Sequence, residues 1–411
     1  MAYQLRLIDQ LLDELTADLP AILLVGPRAA GKTTTALQRA GSVIRLDVPA
    51  EASAFRSDPD ALLRGAAEPV LLDEWQAVPE AFPAVKRAID TEARPGRFLL
   101  TGSAYGDLEG VTAAGTGRIV RLRLLGMMVR EQVGQLRSAP VIDRLARGDT
   151  IRTPSEHLDI RDYLDLALRS GFPEALAVSG TIARQRWLEG YVSQIITRDP
   201  TGTVGSRDPA RLLRYLEAYA LNSAGITEAQ RIYEAAGINK KTASSYEQVL
   251  QNVFVAESLP AWQTNRLKRL TVAPKRYILD AGLMAAILRT DMPAILHDGN
   301  LLGRIIDTFV ASQLRGELEV CATRPRLYHL RDQDGRHEID IVAELGGERV
   351  LGFEIKAAAT VDAKDARHLA WLRDELGERF ITGVVFHTGP RAFSLGDRIM
   401  ALPISAIWAG E

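Results

Sequence analysis

The first 125 residues alternate short, largely apolar runs with stretches of helical periodicity. The apolar runs cover residues 21–25, 43–48, 69–72, 97–101 and 118–124. Continuous apolar runs are typical of strands buried on both faces, and intervening helices favour parallel pairing. The pattern therefore predicts a doubly wound α/β domain with a mainly parallel sheet over residues 1–125.

Two helical segments are predicted to follow. Residues 126–205 have helical periodicity, with Trp187, Tyr191 and Ile195 on one apolar face, and predict a helical lid. Residues 206–292 predict three helices, at 211–221, 227–236 and 240–255. A hairpin with strands at 258–262 and 275–279 is predicted to follow. Helix, turn, helix and hairpin in this order are the outline of a winged helix-turn-helix.

The last segment, residues 293–411, predicts a second, smaller α/β domain. An amphipathic helix is predicted at 304–314 and a further helix at 362–376. The predicted strands lie at 326–330, 338–343, 350–356 and 380–386. A chain of 411 residues exceeds one ordinary core, which agrees with a division into several domains.

Composition excludes several classes of protein. The single cysteine, Cys321, excludes an internal disulfide and a Cys-based zinc site. No window has the apolar length of a membrane helix, and Asp9 interrupts the N-terminal region where a signal peptide is apolar. We therefore expect a cytoplasmic protein with no membrane partner. The net charge of −2 does not decide whether nucleic acid is bound.

Residues 26–33, Gly-Pro-Arg-Ala-Ala-Gly-Lys-Thr, fit the pattern G-x-x-x-x-G-K-[ST] between a strand and a helix. Glycines let backbone amides wrap the phosphates of ATP, Lys32 reaches the β- and γ-phosphates, and Thr33 ligates Mg²⁺. The residues predicted to contact the nucleotide here are Gly26, Pro27, Arg28, Ala29, Ala30, Gly31, Lys32, Thr33 and Thr34.

The apolar run at 69–72 ends in Asp73 and Glu74, which supply the second half of the site. We expect Asp73 to join Thr33 in the Mg²⁺ shell and Glu74 to orient or deprotonate the attacking water. Thr101 and Ser103 end the next strand, beside the first strand, where either hydroxyl would sense the γ-phosphate. For Ser103, capping of the following helix is an equal alternative.

Arg118 is a candidate arginine finger that acts on a neighbouring subunit of a homo-oligomer. A solvated arginine at a strand end is the alternative, and the residues do not decide between the two.

Three motifs resemble the prokaryotic AAA-type ATPases that carry a C-terminal domain of unknown function, the DUF4143 group. They lie at residues 26–34, 71–76 and 99–104. Residues 171–174, the helix of Trp187 and Tyr191 followed by Arg198 and Asp199, and 303–314 fit the same family. The resemblance spans nearly the whole chain. It implies an ATPase core, a helical lid, a winged helix and a restriction-endonuclease-like end, without a settled substrate.

The C-terminal segment carries an acid-acid-lysine set of Asp340, Glu354 and Lys356 on neighbouring predicted strands. Two carboxylates and a lysine can hold a second Mg²⁺ and activate water, and the spacing resembles the PD-(D/E)-x-K nuclease core. Asp307 is a candidate outer ligand, although similar chains often carry Glu there. Ordinary salt bridges, or a nuclease fold without activity, are the alternatives.

Basic residues in the third segment favour DNA as a partner, mostly through backbone contacts. The predicted contacts are Lys240 and Lys241 on the recognition helix, and Arg266, Lys268, Arg269, Lys275 and Arg276 in the wing. Winged helices also pack against proteins, so a protein partner is the alternative.

Three functional hypotheses follow. The first is a Mg²⁺-dependent ATPase associated with DNA. The second is an ATP switch that binds a protein partner, with an inactive nuclease-like scaffold. The third is an ATP-gated, Mg²⁺-dependent DNA nuclease.

Overall fold

A computed structural model gives the fold, and it describes residues 3–103, 117–151, 153, 157–197, 208–263, 272–332 and 335–409. Within these residues, no helix combines the length and the apolar character needed to cross a membrane.

The N-terminal domain is built on a five-stranded sheet in which every neighbouring pair is parallel. Its strands are β1 (Ala21–Val25), β2 (Ser42–Arg45), β3 (Val70–Asp73), β4 (Phe98–Gly102) and β5 (Ile119–Arg123). The spatial order is β2-β3-β4-β1-β5. All five predicted strands are therefore present, and the mainly parallel sheet is confirmed. β1, β3 and β4 are buried at every position, and their residues are apolar apart from Asp73, Thr101 and Gly102 at the carboxyl ends of β3 and β4.

One helix precedes the first strand and the others connect successive strands. They are α1 (Ile8–Asp18), α2 (Lys32–Leu37), α3 (Pro49–Ser57), α4 (Pro59–Gly65) and α5 (Ala81–Thr91), with a 3₁₀ turn at Trp75–Ala77. Proline at the start of α3 and α4 suits a position whose backbone amide lacks a helical partner.

The second segment is helical, as predicted. It contains α6 (Val129–Gln132), α7 (Val141–Arg147), α8 (Ile160–Arg169), α9 (Pro173–Leu176) and α10 (Thr181–Thr197). α8 ends where Ser170 takes a left-handed backbone conformation with φ +65°, and Pro173 begins the next helix. On α10, the rings of Trp187 and Tyr191 stack with centroids 5.6 Å apart, so the predicted apolar face exists.

The third segment has three helices followed by an antiparallel strand pair. Its elements are α11 (Pro209–Leu221), α12 (Ala229–Ala235), α13 (Lys240–Asn252), β6 (Ala256–Leu259) and β7 (Lys275–Ile278). This element order agrees with the outline predicted from the sequence. Two helices then lead into the last segment, α14 (Ala281–Leu288) and α15 (Met292–His297).

The C-terminal segment packs α16 (Gly299–Gly316) and α17 (Arg367–Leu376) against a mixed six-stranded sheet. The strands are β8 (Arg326–Arg331), β9 (Glu338–Glu344), β10 (Val350–Ile355), β11 (Phe380–His387), β12 (Phe393–Gly396) and β13 (Ile399–Pro403). Their order is β12-β13-β11-β10-β9-β8, with β10, β11 and β13 parallel. The sequence pattern did not predict β12 and β13.

One hydrophobic core runs through the helical, third and C-terminal segments. It includes Val129 of α6, Tyr163 of α8, Tyr219 of α11 and Phe353 of β10. The N-terminal sheet has its own core around Phe55, Trp75 and Phe98. The boundaries predicted near residues 205 and 292 are thus crossed by shared packing.

Candidate functional site

The loop at residues 26–31 joins β1 to α2 at the carboxyl end of the parallel sheet. Gly31 has φ +93°, a conformation that residues with side chains rarely adopt. A Cβ atom on Gly26 would lie 2.0 Å from the carbonyl oxygen of Leu124, so the two backbone segments are too close for any side chain at position 26. Both glycines are therefore required by the backbone, as the phosphate-loop prediction supposes.

Lys32 opens α2 and is buried. Its ammonium donates hydrogen bonds to the carbonyl oxygens of Gly26 at 3.0 Å and Pro27 at 2.7 Å, and so lies across the loop. Burial lowers the pKa of Lys32 to about 8, against the opposing effects of Glu74 and Asp73. Of the other loop residues, Pro27 and Ala30 are buried, Ala29 is half-buried, and Arg28 and Thr34 are exposed.

Asp73, at the end of β3, meets hydroxyls from two other elements. Thr33 donates to its Oδ1 at 2.6 Å, and Thr101 of β4 donates to the same oxygen. The backbone amide of Glu74 in turn donates to the Thr101 hydroxyl at 3.1 Å. Because β1, β3 and β4 are parallel neighbours in the sheet, the predicted set converges at one edge.

Glu74 has a left-handed backbone conformation with φ +52°, which is uncommon outside glycine. Its Oε2 accepts hydrogen bonds from the Ser103 hydroxyl at 3.2 Å and from the amide of Gln76. The structure therefore holds Ser103 against Glu74. Residues 104–116, where the alternative role of Ser103 as a helix cap would be seen, lie outside the described residues.

The residues present fit a nucleotide phosphate chain with Mg²⁺. A buried ammonium lies over a loop whose glycines keep the backbone open, and a hydroxyl and a carboxylate face each other beside it. The side chains suited to hold the ion are Thr33 and Asp73, and Lys32 is suited to the phosphates.

Arg118 lies at the opposite end of the sheet from this loop. In the parallel register, Ile119 pairs with Ala21, the first residue of β1, whereas the loop follows Val25, the last. Arg118 forms an ion pair with Asp90 of α5. Action of Arg118 on the nucleotide site of its own chain is therefore excluded, and action on a neighbouring subunit stays a prediction.

Arg6, paired with Glu131, forms hydrogen bonds that hold the phosphate loop in place. The sequence pattern does not single out either residue. The buried guanidinium of Arg6 donates to the carbonyl oxygens of Ala30 at 2.9 Å and Leu125 at 2.8 Å, and pairs with Glu131 at 3.0 Å. The two residues lie 125 positions apart, so no local motif connects them. The signal available was an isolated arginine ahead of an amphipathic helix, which is too common to be informative.

The lid contacts the same loop from the other side. The Tyr191 hydroxyl donates to the carbonyl oxygen of Arg28 at 3.2 Å. Phe172 packs on Tyr191 with ring centroids 4.7 Å apart. A cavity of about 290 Å³ lies between loop and lid, lined in part by Arg28, Glu174 and Trp187.

The structure also brings together Asp307, Asp340, Glu354 and Lys356, which line one cavity of about 980 Å³. A fifth charged residue, Lys275 of β7, joins them. Its ammonium lies 2.7 Å from Asp307 and 2.8 Å from Asp340. Lys356 pairs with Glu354 at 3.2 Å. Burial and the charge of Asp340 raise the pKa of Glu354. The pKa of Lys275 is also raised, because Asp307 and Asp340 outweigh its burial.

The predicted second metal site is not formed. No group of three or more His, Cys, Asp or Glu side chains among the described residues is arranged to hold a metal ion. Asp307 and Asp340 instead bind the ammonium of Lys275, which lies between them. The structure thus brings Asp307, Asp340, Glu354 and Lys356 together as predicted, and the arrangement of their side chains does not support a joint role as metal ligands.

The predicted DNA contacts divide into three groups. Lys240 and Lys241 are exposed at the start of α13, as that role requires. Arg266, Lys268 and Arg269 lie outside the described residues.

The prediction is wrong for Lys275 and Arg276, whose side chains are buried. Lys275 pairs with the two aspartates, and Arg276 donates to the carbonyl oxygen of Thr227 at 2.7 Å and pairs with Glu247 at 3.4 Å. Neither cation is available to a phosphate in this fold.

Three protein-family models match separate parts of the chain. A model described as an AAA domain matches residues 18–133. Models of two domains of unknown function, DUF8612 and DUF4143, match residues 160–294 and 302–407. The AAA match covers the loop of Gly26 and the Asp73 strand, and the DUF4143 match covers the cluster of Asp307, Asp340 and Glu354.

Similar proteins are uncharacterized. One from Mycobacterium tuberculosis and one from Mycobacterium bovis are each 29% identical over 393 residues, which is 94% of this chain and 81% of theirs. Among solved structures, a Walker-type ATPase of Pyrococcus abyssi aligns over 68% of this chain and 94% of its own. That alignment has 16% identity and a TM-score of 0.42.

Proposed function

We propose that this AAA-type P-loop protein with a C-terminal DUF4143 domain is a Mg²⁺-dependent ATPase that acts on DNA as a switch or motor. The observation that carries the ATPase part of the proposal is the convergence of Lys32, Thr33 and Asp73 at the carboxyl end of the sheet. Ligands of parallel α/β sheets bind at that edge.

Each residue of the site has a role that follows from its position. The loop amides and Lys32 bind the phosphates, and Thr33 and Asp73 hold the metal. Mg²⁺ bound there would neutralise charge that develops on the phosphates during hydrolysis. Glu74 is held by Ser103 and Gln76 at the strand end, where its carboxylate can orient a water molecule or accept its proton.

Contacts beyond the site offer a route by which nucleotide state reaches the third segment. The Tyr191 hydroxyl binds the phosphate loop, and the amide of Gly171 donates to Asp280, ahead of α14, at 2.8 Å. On the other side, Glu257 of β6 pairs with Arg123 of β5 at 3.3 Å and with Arg315 of α16 at 3.1 Å. A shift of the loop or lid would therefore change the contacts of β6 and α16.

DNA contact is proposed through the exposed start of α13 and through the chain between β6 and β7. Lys240 and Lys241 follow the capping residue Asn239, whose side chain accepts from the Thr242 amide at 2.9 Å. Lysines at a helix start suit phosphate contact more than base reading, so the binding would be largely independent of sequence.

The test is ATP hydrolysis with Mg²⁺, measured alone and with single-stranded, duplex and branched DNA. We expect one DNA form to stimulate wild-type turnover and the Lys240→Ala/Lys241→Ala variant to lose that stimulation while keeping its basal rate. Lys32→Ala is the blank for contaminating hydrolysis. A rate of hydrolysis that depends on Lys32 but is the same with every DNA form would contradict the proposal that the protein acts on DNA.

A second candidate is an ATP switch that binds a protein partner, with the C-terminal domain as an inactive scaffold. The position of Lys275 between Asp307 and Asp340 favours it over an ATP-gated nuclease, because the aspartates are engaged by a side chain. Very slow hydrolysis, indifferent to DNA, is the result that would support this candidate.

A further inference from the structure

The ion cluster of Lys275, Asp307 and Asp340 uses every carboxylate oxygen of the two aspartates. Lys275 binds Oδ2 of Asp307 and Oδ1 of Asp340. The Tyr277 hydroxyl donates to Oδ1 of Asp307 at 2.9 Å, and the amide of Ile355 donates to Oδ2 of Asp340 at 2.9 Å. Each aspartate therefore has one charged and one neutral donor from its own chain.

This arrangement does not suit a divalent cation. Mg²⁺ takes six oxygens in near-octahedral geometry, with carboxylates as its usual protein ligands. Glu354 could offer only its Oε1, which is buried and without a hydrogen-bond partner, because Oε2 is paired with Lys356. The acid-acid-lysine spacing of a nuclease is thus present, while every carboxylate oxygen of Asp307, Asp340 and Glu354 except Oε1 of Glu354 already accepts a hydrogen bond.

We infer that the ammonium of Lys275 takes the place of the divalent cation expected at this acid-acid-lysine site, so that the cluster is a metal-independent tie between β7 and the C-terminal sheet. This inference concerns a site separate from the ATPase site, and it does not depend on the proposed function. A buried lysine needs paired charge to offset its desolvation, and two aspartates supply it.

Backbone contacts beside the cluster support the tie. The hairpin of β6 and β7 docks on the edge strand β8. The amide of Trp262 donates to the carbonyl oxygen of His329 at 2.6 Å, and the amide of His329 donates to that of Pro260 at 3.0 Å. The Trp262 indole also donates to Glu344 of β9 at 2.7 Å. The hairpin is therefore held to the C-terminal sheet by backbone and side-chain hydrogen bonds as well as by the ion cluster.

The experiment titrates nucleotide-free wild-type protein with Mn²⁺ by calorimetry and compares it with Asp340→Asn. We expect wild-type protein and Asp340→Asn to show the same Mn²⁺ binding, because Asp340 does not bind the ion. Wild-type binding that is lost in Asp340→Asn would overturn the inference, because the site would then hold a metal in spite of Lys275.

The complementary variant is Lys275→Met, whose unbranched side chain is one atom shorter and carries no charge. We expect Mn²⁺ to raise the melting temperature of Lys275→Met, and the added Asp340→Asn substitution to cancel that rise. The control Lys364→Met alters an exposed lysine and should show no Mn²⁺ effect. A folded Lys275→Met protein that gains no Mn²⁺ response would contradict the inference. If Lys275→Met does not fold, the wild-type titration decides.

Discussion

The hydroxyl of Thr33 donates a 2.6 Å hydrogen bond to Oδ1 of Asp73, although the two residues lie 40 positions apart. One residue belongs to the phosphate loop and the other to the end of β3, so the contact joins the two halves of the nucleotide site. The same oxygen accepts from Thr101. The phosphate loop, β3 and β4 therefore meet at one carboxylate, and the packing of the sheet brings the residues of the site together.

Glu74→Gln should separate nucleotide binding from hydrolysis. The amide keeps the size of the side chain but cannot accept a proton, so hydrolysis should fall by about 10²–10⁴-fold. Affinity for a fluorescent ATP analogue should change little. Glu80→Gln, at an exposed glutamate nearby, is the matched control. A Glu74→Gln enzyme that retains the wild-type rate would exclude Glu74 as the base.

Gly26→Ala should destabilise the N-terminal domain. The added methyl would lie 2.0 Å from the carbonyl oxygen of Leu124, so β1 and β5 would have to separate. We expect a loss of about 3 kcal/mol or more in the free energy of unfolding. Gly65→Ala, where a methyl meets no atom within 4 Å, should change it by less than about 1 kcal/mol. Urea unfolding that finds the two variants equally stable would contradict this reading of the loop.

Glu257→Gln should weaken the junction of β5, β6 and α16 in a pH-dependent manner. Although burial opposes it, the charges of Arg315 and Arg123 lower the pKa of Glu257. The ionised carboxylate therefore adds stability above the unfolded-state pKa of about 4.3, and this contribution is lost as pH falls through the lower folded-state value.

At pH 7 the variant should be less stable by roughly 1–3 kcal/mol, because Arg315 loses a charged hydrogen-bond partner, and the difference should shrink as the pH falls below about 4. Thermal unfolding of both proteins across this range measures it. A deficit that stays constant from neutral to acid pH would show that charge on Glu257 is not its source.

Lys240→Ala/Lys241→Ala should weaken DNA binding about equally for all sequences. Two lost phosphate contacts should reduce the slope of log affinity against log salt by about 1.8. Lys364→Ala removes an exposed lysine from the C-terminal segment and should leave the slope unchanged. Fluorescence anisotropy over a salt series provides the measurement. An unchanged slope in the double variant would place the DNA contact elsewhere.

Much of the N-terminal fold could be predicted because its signals are local. Largely apolar runs predicted β1 to β5, and the glycine-lysine loop predicted the site between β1 and α2. α14 was missed because nearly all of its residues are apolar and buried, so no amphipathic period marks it.

Long-range pairing explains what could not be predicted in the C-terminal site. Lys275 is 32 residues from Asp307 and 65 residues from Asp340. In sequence it stands in a run of basic residues without a carboxylate, which indicated a solvated DNA-binding loop. Only the docking of the hairpin on β8 reveals that its charge faces inward.

Steady-state ATP hydrolysis with Mg²⁺, compared between wild-type protein and Lys32→Ala, measures whether the phosphate loop supports catalysis. We expect phosphate release that requires Mg²⁺ and falls to the blank rate in Lys32→Ala, because the ammonium over the phosphate loop is lost. Phosphate release that is equal in the two proteins would contradict this expectation.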